Sequence, residues 1–198
     1  MGVSDSCIRT FAVHQAPVKR AAVMPNNPFE FLSCSEDGTA RHFDVREPAP
    51  LNNAMHRASR RGGRIVANYS SMDAELHAID ANPFHSSIFA VGGSMSSIMV
   101  HDRRMPQLDD HLSQSATRMR NWSGDKCVVR LRVDANFESD GVYEHTSENT
   151  VTGLRFSKDV ANQVIGSWCY DHVYLFDLNQ SISYRNAVGK TLHDLTKR

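Results

Sequence analysis

Two Asp-x-Arg triplets are the strongest candidates for chemistry in this sequence, Asp44-Val45-Arg46 and Asp102-Arg103-Arg104. Each follows an apolar run and is expected at a strand end, where residues i and i+2 point to the same side. An Asp and an Arg placed together there have two uses. The guanidinium can close an ion pair with its own Asp, or it can offer its planar fork to a carboxylate or carbonyl of a partner. On the residues alone, the local pair is favoured. A second cationic set, Arg57, Arg60, Arg61 and Arg64, lies in a polar stretch. Such a loop can meet an acidic peptide, phosphate or RNA, or simply face water, and the solvated face is the favoured reading.

Catalytic patterns are missing. The chain has ten histidines but no H-E-x-x-H or comparable ligand spacing. It has no Gly-rich phosphate loop, no G-x-S-x-G elbow and no kinase set. Cys7, Cys34, Cys127 and Cys169 form no C-x-x-C pair, so no zinc site is expected. Cys34 and Cys169 lie in or beside apolar runs and read as small buried hydrophobes. The expectation is therefore a non-enzyme with no catalytic residues, no metal and no cofactor.

Lys plus Arg equals Asp plus Glu at 22 each, and a balanced chain is not a dedicated nucleic-acid binder. No apolar run approaches the roughly 20 residues of a membrane span, and no signal peptide opens the sequence. An intracellular location, nuclear and/or cytoplasmic, is expected. The opening Met1-Gly2-Val3-Ser4-Asp5-Ser6 fits an N-myristoylation pattern. A strand-like run follows at once, so an ordinary strand start is preferred.

The elements that must position the two triplets are short strands. Residues 31–46 read as strand, acidic-Gly turn (Ser35-Glu36-Asp37-Gly38), strand, which is a strong hairpin signal. Residues 88–104 and 164–178 echo it. Further strands are predicted over residues 7–13, 18–23, 29–34, 39–44, 64–69, 76–81, 88–92, 97–102, 127–133, 151–156, 163–168 and 172–177. No long amphipathic helix is visible, so the chain reads as all-β. Asp44, Asp102 and Asp177 end successive units. Their spacing exceeds the ~40 to 45 residues of a plain repeat, because polar stretches follow the first two.

These residues resemble the WD-repeat family. There a turn His, a strand Ser or Thr, a turn Asp and a strand aromatic form a hydrogen-bonded set inside each blade. His14, Ser33 or Ser35, Asp37 and Phe43 match it, except that Phe43 cannot donate. His145, Ser167, Asp171 and Phe176 are looser counterparts, and the second repeat has His101 at the aromatic position and no turn Asp. The resemblance makes His14, Asp37, His145 and Asp171 structural pins of their blades. It implies a partial β-propeller over residues 1–178, with repeats at about 7–46, 64–104 and 127–178, insertions at 47–63 and 105–126, and a tail at 179–198. Both insertions should emerge on one face of the disc. Propellers close with about 4 to 8 blades. Three repeats do not, so this sequence is expected to be part of a larger propeller, and aggregation-prone alone.

Within that family, residues 32–39 with Phe43-Asp44-Val45-Arg46 are similar to the box by which WD proteins dock the damage-specific DNA-binding adaptor of cullin-4 ubiquitin ligases. Asp80-Ala81-Asn82-Pro83 with His101-Asp102-Arg103-Arg104 is similar too. The chain thus resembles cullin-4-associated substrate receptors of the nuclear-receptor interaction protein type. The resemblance implies that Arg46 and Arg104, with Asp44 and Asp102, are docking residues, and that the partners are the ligase adaptor and a substrate protein. The third repeat has Asn179 in place of the Arg. A general nuclear scaffold or coregulator, binding anionic partners through Arg57, Arg60, Arg61 and Arg64, is the alternative.

Overall fold

The computed structural model describes residues 9–47, 63–105, 127–133 and 150–179. The described residues hold the strands β1 (Val18–Val23), β2 (Glu30–Ser35), β3 (Thr39–Asp44), β4 (Arg64–Asn68), β5 (Leu76–Ala81), β6 (Ile88–Gly93), β7 (Ser97–Asp102), β8 (Val129–Arg132), β9 (Val151–Phe156), β10 (Gln163–Trp168) and β11 (Val173–Asp177), and one turn of 3-10 helix (Ser70–Met72). They form three antiparallel sheets in chain order, β1-β2-β3-β4, β5-β6-β7-β8 and β9-β10-β11. The fold is all-β, part of a WD40 propeller.

The three sheets share one irregularity. The first strand of each carries a bulge against the second, skipping Lys19, His77 and Thr152 in turn. A bulge at one fixed place, repeated three times, marks the sheets as copies of one unit. Between β2 and β3, Gly38 adopts φ +77°, and a Cβ there would lie 2.7 Å from the Ser70 backbone nitrogen. A left-handed turn pressed on a neighbouring backbone requires glycine.

Alternation along the strands assigns each side chain to one of two interfaces. In the middle sheet, Phe89, Val91 and Met99 join the core shared with the first sheet, which includes Leu32, Cys34, Ala40 and Tyr69. Ile88, Ala90, Ile98 and Val100 face the other way and pack with Val151, Leu154, Val164 and Trp168 of the third sheet. Every residue of β6 and β7 is buried for this reason. A continuous apolar run such as Ile88-Phe89-Ala90-Val91 is what a strand covered on both faces needs. Burying each large side chain contributes roughly 1.5–3 kcal/mol. The outer strand β11 has only exposed or half-exposed residues.

One expected strand is corrected. Of residues 7–13, the described residues 9–13 join no ladder. Phe11 instead packs edge-on against Phe31 and Phe43, which stack on each other at 4.7 Å. Arg9 lies over the Phe11 ring and donates to the carbonyls of Val45 and Glu47. The alternation of the stretch is that of a strand, but Phe11 is half-buried by ring packing alone and Ala12 is exposed. The polar stretches fall between β3 and β4 and between β7 and β8. The strand β4 closes the first sheet, although in sequence it begins the second repeat.

Candidate protein-docking face

At one end of each sheet, the turn after the third strand is tied to the loop between the first two. Val45 donates to the Phe29 carbonyl, Arg103 to that of Ser87, and Leu178 to that of Asn162, each at 2.8 Å. The Asp ending each third strand then caps its turn. The backbone N–H of Arg46, Arg104 and Asn179 donates to Asp44, Asp102 and Asp177 respectively, always at 2.9 Å.

On this shared backbone the two arginines take the same pose. Arg46 Nε donates to Asp44 Oδ1 at 2.9 Å and Nη2 to Oδ2 at 2.6 Å. Arg104 Nε and Nη2 meet Asp102 at 3.0 and 2.6 Å. The local pair favoured by the residues therefore forms twice. It leaves much of each fork outward, because a guanidinium has five donors and the Asp engages one edge. The Arg side chains are 56% and 60% exposed, while their Asp partners are 19% and 4% exposed. Hydrogen bonds from the Arg46 side chain and backbone hold the Asp44 carboxyl at about 2. Each Asp thus anchors its Arg in one geometry, and the Arg carries the accessible charge. Asn179 shares the turn but brings no cation.

Exposed apolar side chains that the sequence did not single out lie in the loops at this end of the sheets. Phe29 is 47% exposed and lies under the Arg46 guanidinium at 5.1 Å. Phe84 and Val160 are similarly exposed in the equivalent loops of the other sheets. Exposed aromatics beside arginine are the usual composition of a protein-binding surface. A loop position followed by a polar strand start was the available signal.

The pins occupy the opposite end of the first sheet. His14 Nδ1 lies 2.9 Å from Asp37 Oδ2, and its Nε2 lies 2.6 Å from Ser33 Oγ. Asp37 also accepts from the Gln15 N–H, the Thr39 N–H and the Thr39 hydroxyl. Burial alone would raise this carboxyl, but these hydrogen bonds outweigh it and hold it at about 2. The pair is enclosed, with His14 and Asp37 side chains 5% and 9% exposed, so it faces no substrate. Asp37→Ala should lower the unfolding free energy by about 2–4 kcal/mol, since several donors lose one buried acceptor. A urea melt measures it, and a midpoint within error of wild type would contradict the pinning role. In the third sheet Asp171 accepts from His172 and the Tyr174 hydroxyl. His145 lies outside the described residues, as do Arg57, Arg60 and Arg61. Arg64 is described, and its Nη2 donates to the Arg103 carbonyl at 3.1 Å.

Among the described residues, one trio of ligand-type groups, Glu36, Glu75 and His77, meets within 4.8 Å. Lys19 already holds Glu36 at 2.6 Å, and His77 holds Glu75 at 3.2 Å. These contacts satisfy the charges, and no ion is assigned.

Comparison with known proteins agrees with the geometry. Residues 5–44 match the family described as "WD domain, G-beta repeat". The chain is 30% identical over 175 residues to the WD repeat protein iqw1 of Schizosaccharomyces pombe, covering 87% of this chain and 20% of that protein. It is 28% identical over 167 residues to human DDB1- and CUL4-associated factor 6, covering 84% of this chain and 17% of that protein. It is 29% identical over 200 residues to Protein ALTERED SEED GERMINATION 2 of Arabidopsis thaliana, covering 93% of this chain and 24% of that protein. The chain spans about a fifth of the length of these curated relatives. Residues 5–44 are thus a WD40 repeat, the two further sheets are built alike, and repeats of this kind are typically protein-interaction scaffolds.

Proposed function

We propose that this chain forms part of a non-catalytic substrate receptor of a cullin-4 RING ubiquitin ligase, docking the ligase adaptor through Arg46 and Arg104 and bringing a substrate protein to the complex. The observation that carries this reading is the duplicated Asp-Arg pose. Two adjacent sheets hold an outward guanidinium on a buried or half-buried Asp in the same turn. A purely local ion pair would not need equivalent turns to place both cations at one end of the molecule. The likeness to a protein whose name is DDB1- and CUL4-associated factor 6 supports the same reading. A nuclear or cytoplasmic setting belongs to it.

Affinity capture tests it. The tagged chain, expressed in cells, is expected to retain the cullin-4 adaptor at both about 0.15 and 0.5 M salt, because an interface with an apolar component survives screening. Retention only at low salt, together with nucleic acid, would instead favour a scaffold for anionic partners. Absence of the adaptor at both would remove the ligase reading.

A further inference from the structure

We infer that Glu30 is the positioning residue of the docking face, clamping the Asp-x-Arg turns of two neighbouring sheets into one two-point surface for a protein partner carrying paired acidic groups. The inference rests on the docking role proposed for Arg46 and Arg104.

Glu30 opens β2 and stands opposite Asp44 in the β2–β3 register. Two carboxylates facing each other across a ladder repel unless cations intervene. The cations come from both sheets. Glu30 Oε2 accepts from Arg103 Nη1 at 2.7 Å and lies 2.8 Å from His42 Nε2. Its Oε1 accepts from Asn27 Nδ2 at 2.7 Å and lies 3.8 Å from Arg46 Nη2. The two oxygens of one carboxylate thus address the two turns. Its side chain is 15% exposed, so these contacts are little diluted by water.

Arg103 is the middle residue of the second triplet, and its side chain, its carbonyl and its N–H are each engaged. Its side chain goes to Glu30 and its carbonyl to Arg64, both in the first sheet. Its N–H goes to Ser87 in its own sheet. The turn carrying Arg104 is therefore fixed to the turn carrying Arg46 by two cross-sheet bonds at one residue. Two weak contacts in fixed register act as one stronger contact, and the advantage disappears when their spacing is free.

The test measures affinity of the purified full chain for the purified cullin-4 adaptor, combined with a double-mutant cycle on Arg46→Ala and Arg104→Ala. Glu30→Gln should weaken binding about tenfold and make the two arginine effects independent, whereas in the wild-type background they are coupled. Arg103→Gln should do the same. Arg103→Lys, which keeps a cation within reach of Glu30, should restore affinity to within about threefold of wild type. A merely structural role would weaken binding without changing the coupling. If the arginine variants weaken binding but Glu30→Gln leaves affinity and coupling at wild-type values, the clamp is wrong and the docking role stands. If the arginine variants themselves leave affinity unchanged, the docking role falls and the clamp with it.

Discussion

Alanine at both Arg46 and Arg104 is expected to weaken adaptor binding about a hundredfold, with either single change already costing about thirtyfold, so that the two effects are coupled and do not multiply. The size follows from the class of contact. An arginine pre-set by its own Asp loses little side-chain freedom on binding, and such anchors carry a disproportionate share of interface energy. Both guanidinia already spend Nε and Nη2 on the Asp. A partner carboxylate therefore completes a network in place of breaking one. Lysine at either position should perform nearly as badly as alanine. An ammonium cannot bridge the Asp through two nitrogens and still present a fixed outer edge. Removing the cation also leaves Asp44 and Asp102 as bare negative charges facing an acidic partner, which adds repulsion to the loss. Binding isotherms at fixed salt measure the effect, with thermal melts as the control for folding. Both arginines are more than half exposed, so their removal should leave the melt nearly unchanged. A dissociation constant within twofold of wild type for the double variant would exclude these residues from docking.

The sequence made the sheets legible because two of its signals have direct physical causes. The acidic-Gly turn at residues 35–38 needs a left-handed residue, and only Gly38 supplies it without strain. The unbroken run Ile88-Phe89-Ala90-Val91 has no polar alternation because both of its faces are covered. Residues 7–13 misled for the converse reason. Their apolar side chains are spaced as in a strand, but Phe11 is only half-buried, by aromatic packing, and its backbone pairs with no ladder. The docking triplets were legible from the Asp-x-Arg spacing, although the pairs meet across a turn in which the Arg N–H caps the Asp carboxylate, and not along extended backbone. The link between them was not. Glu30 and Arg103 lie 73 positions apart, and local spacing carries no information about which sheets will adjoin. A clue did exist inside the first hairpin. Pairing Glu30 with Asp44 puts like charges across a ladder, and that arrangement requires a cation from elsewhere. The exposed Phe29 and Phe84 escaped attention for a simpler reason, since a loop Phe after Pro is indistinguishable from a turn residue until its neighbours are known.

Acidification from pH 7.5 to 5.5 should destabilise the protein by about 1.4 kcal/mol through His101 alone. This residue is 1% exposed and stacks on Phe89 with ring centroids 5.3 Å apart. The Tyr69 hydroxyl lies 2.6 Å from its Nε2. Burial raises the Tyr69 phenol well above its ordinary value, so the phenol keeps its proton and shares one hydrogen bond with the His101 ring. Burial also lowers the His101 imidazole from 6.5 to about 3, since a protonated ring there would lose its hydration. The sign follows from these two values. Above 6.5 neither the folded nor the unfolded chain protonates this ring, and the full stability is present. Between 6.5 and about 3 the unfolded chain takes up a proton that the folded chain refuses, and stability falls with each unit of pH. His101→Phe isolates the contribution, because Phe43 occupies the equivalent place opposite Phe31 in the first sheet. The variant leaves the buried Tyr69 hydroxyl without this hydrogen-bond partner, at a cost of about 1–3 kcal/mol that does not depend on pH. Urea melts at the two pH values separate the effects. The variant should be less stable than wild type at pH 7.5 and lose about 1.4 kcal/mol less on acidification. Equal slopes for both proteins would mean that His101 accepts a proton in the folded state, and the buried neutral pair would be wrong.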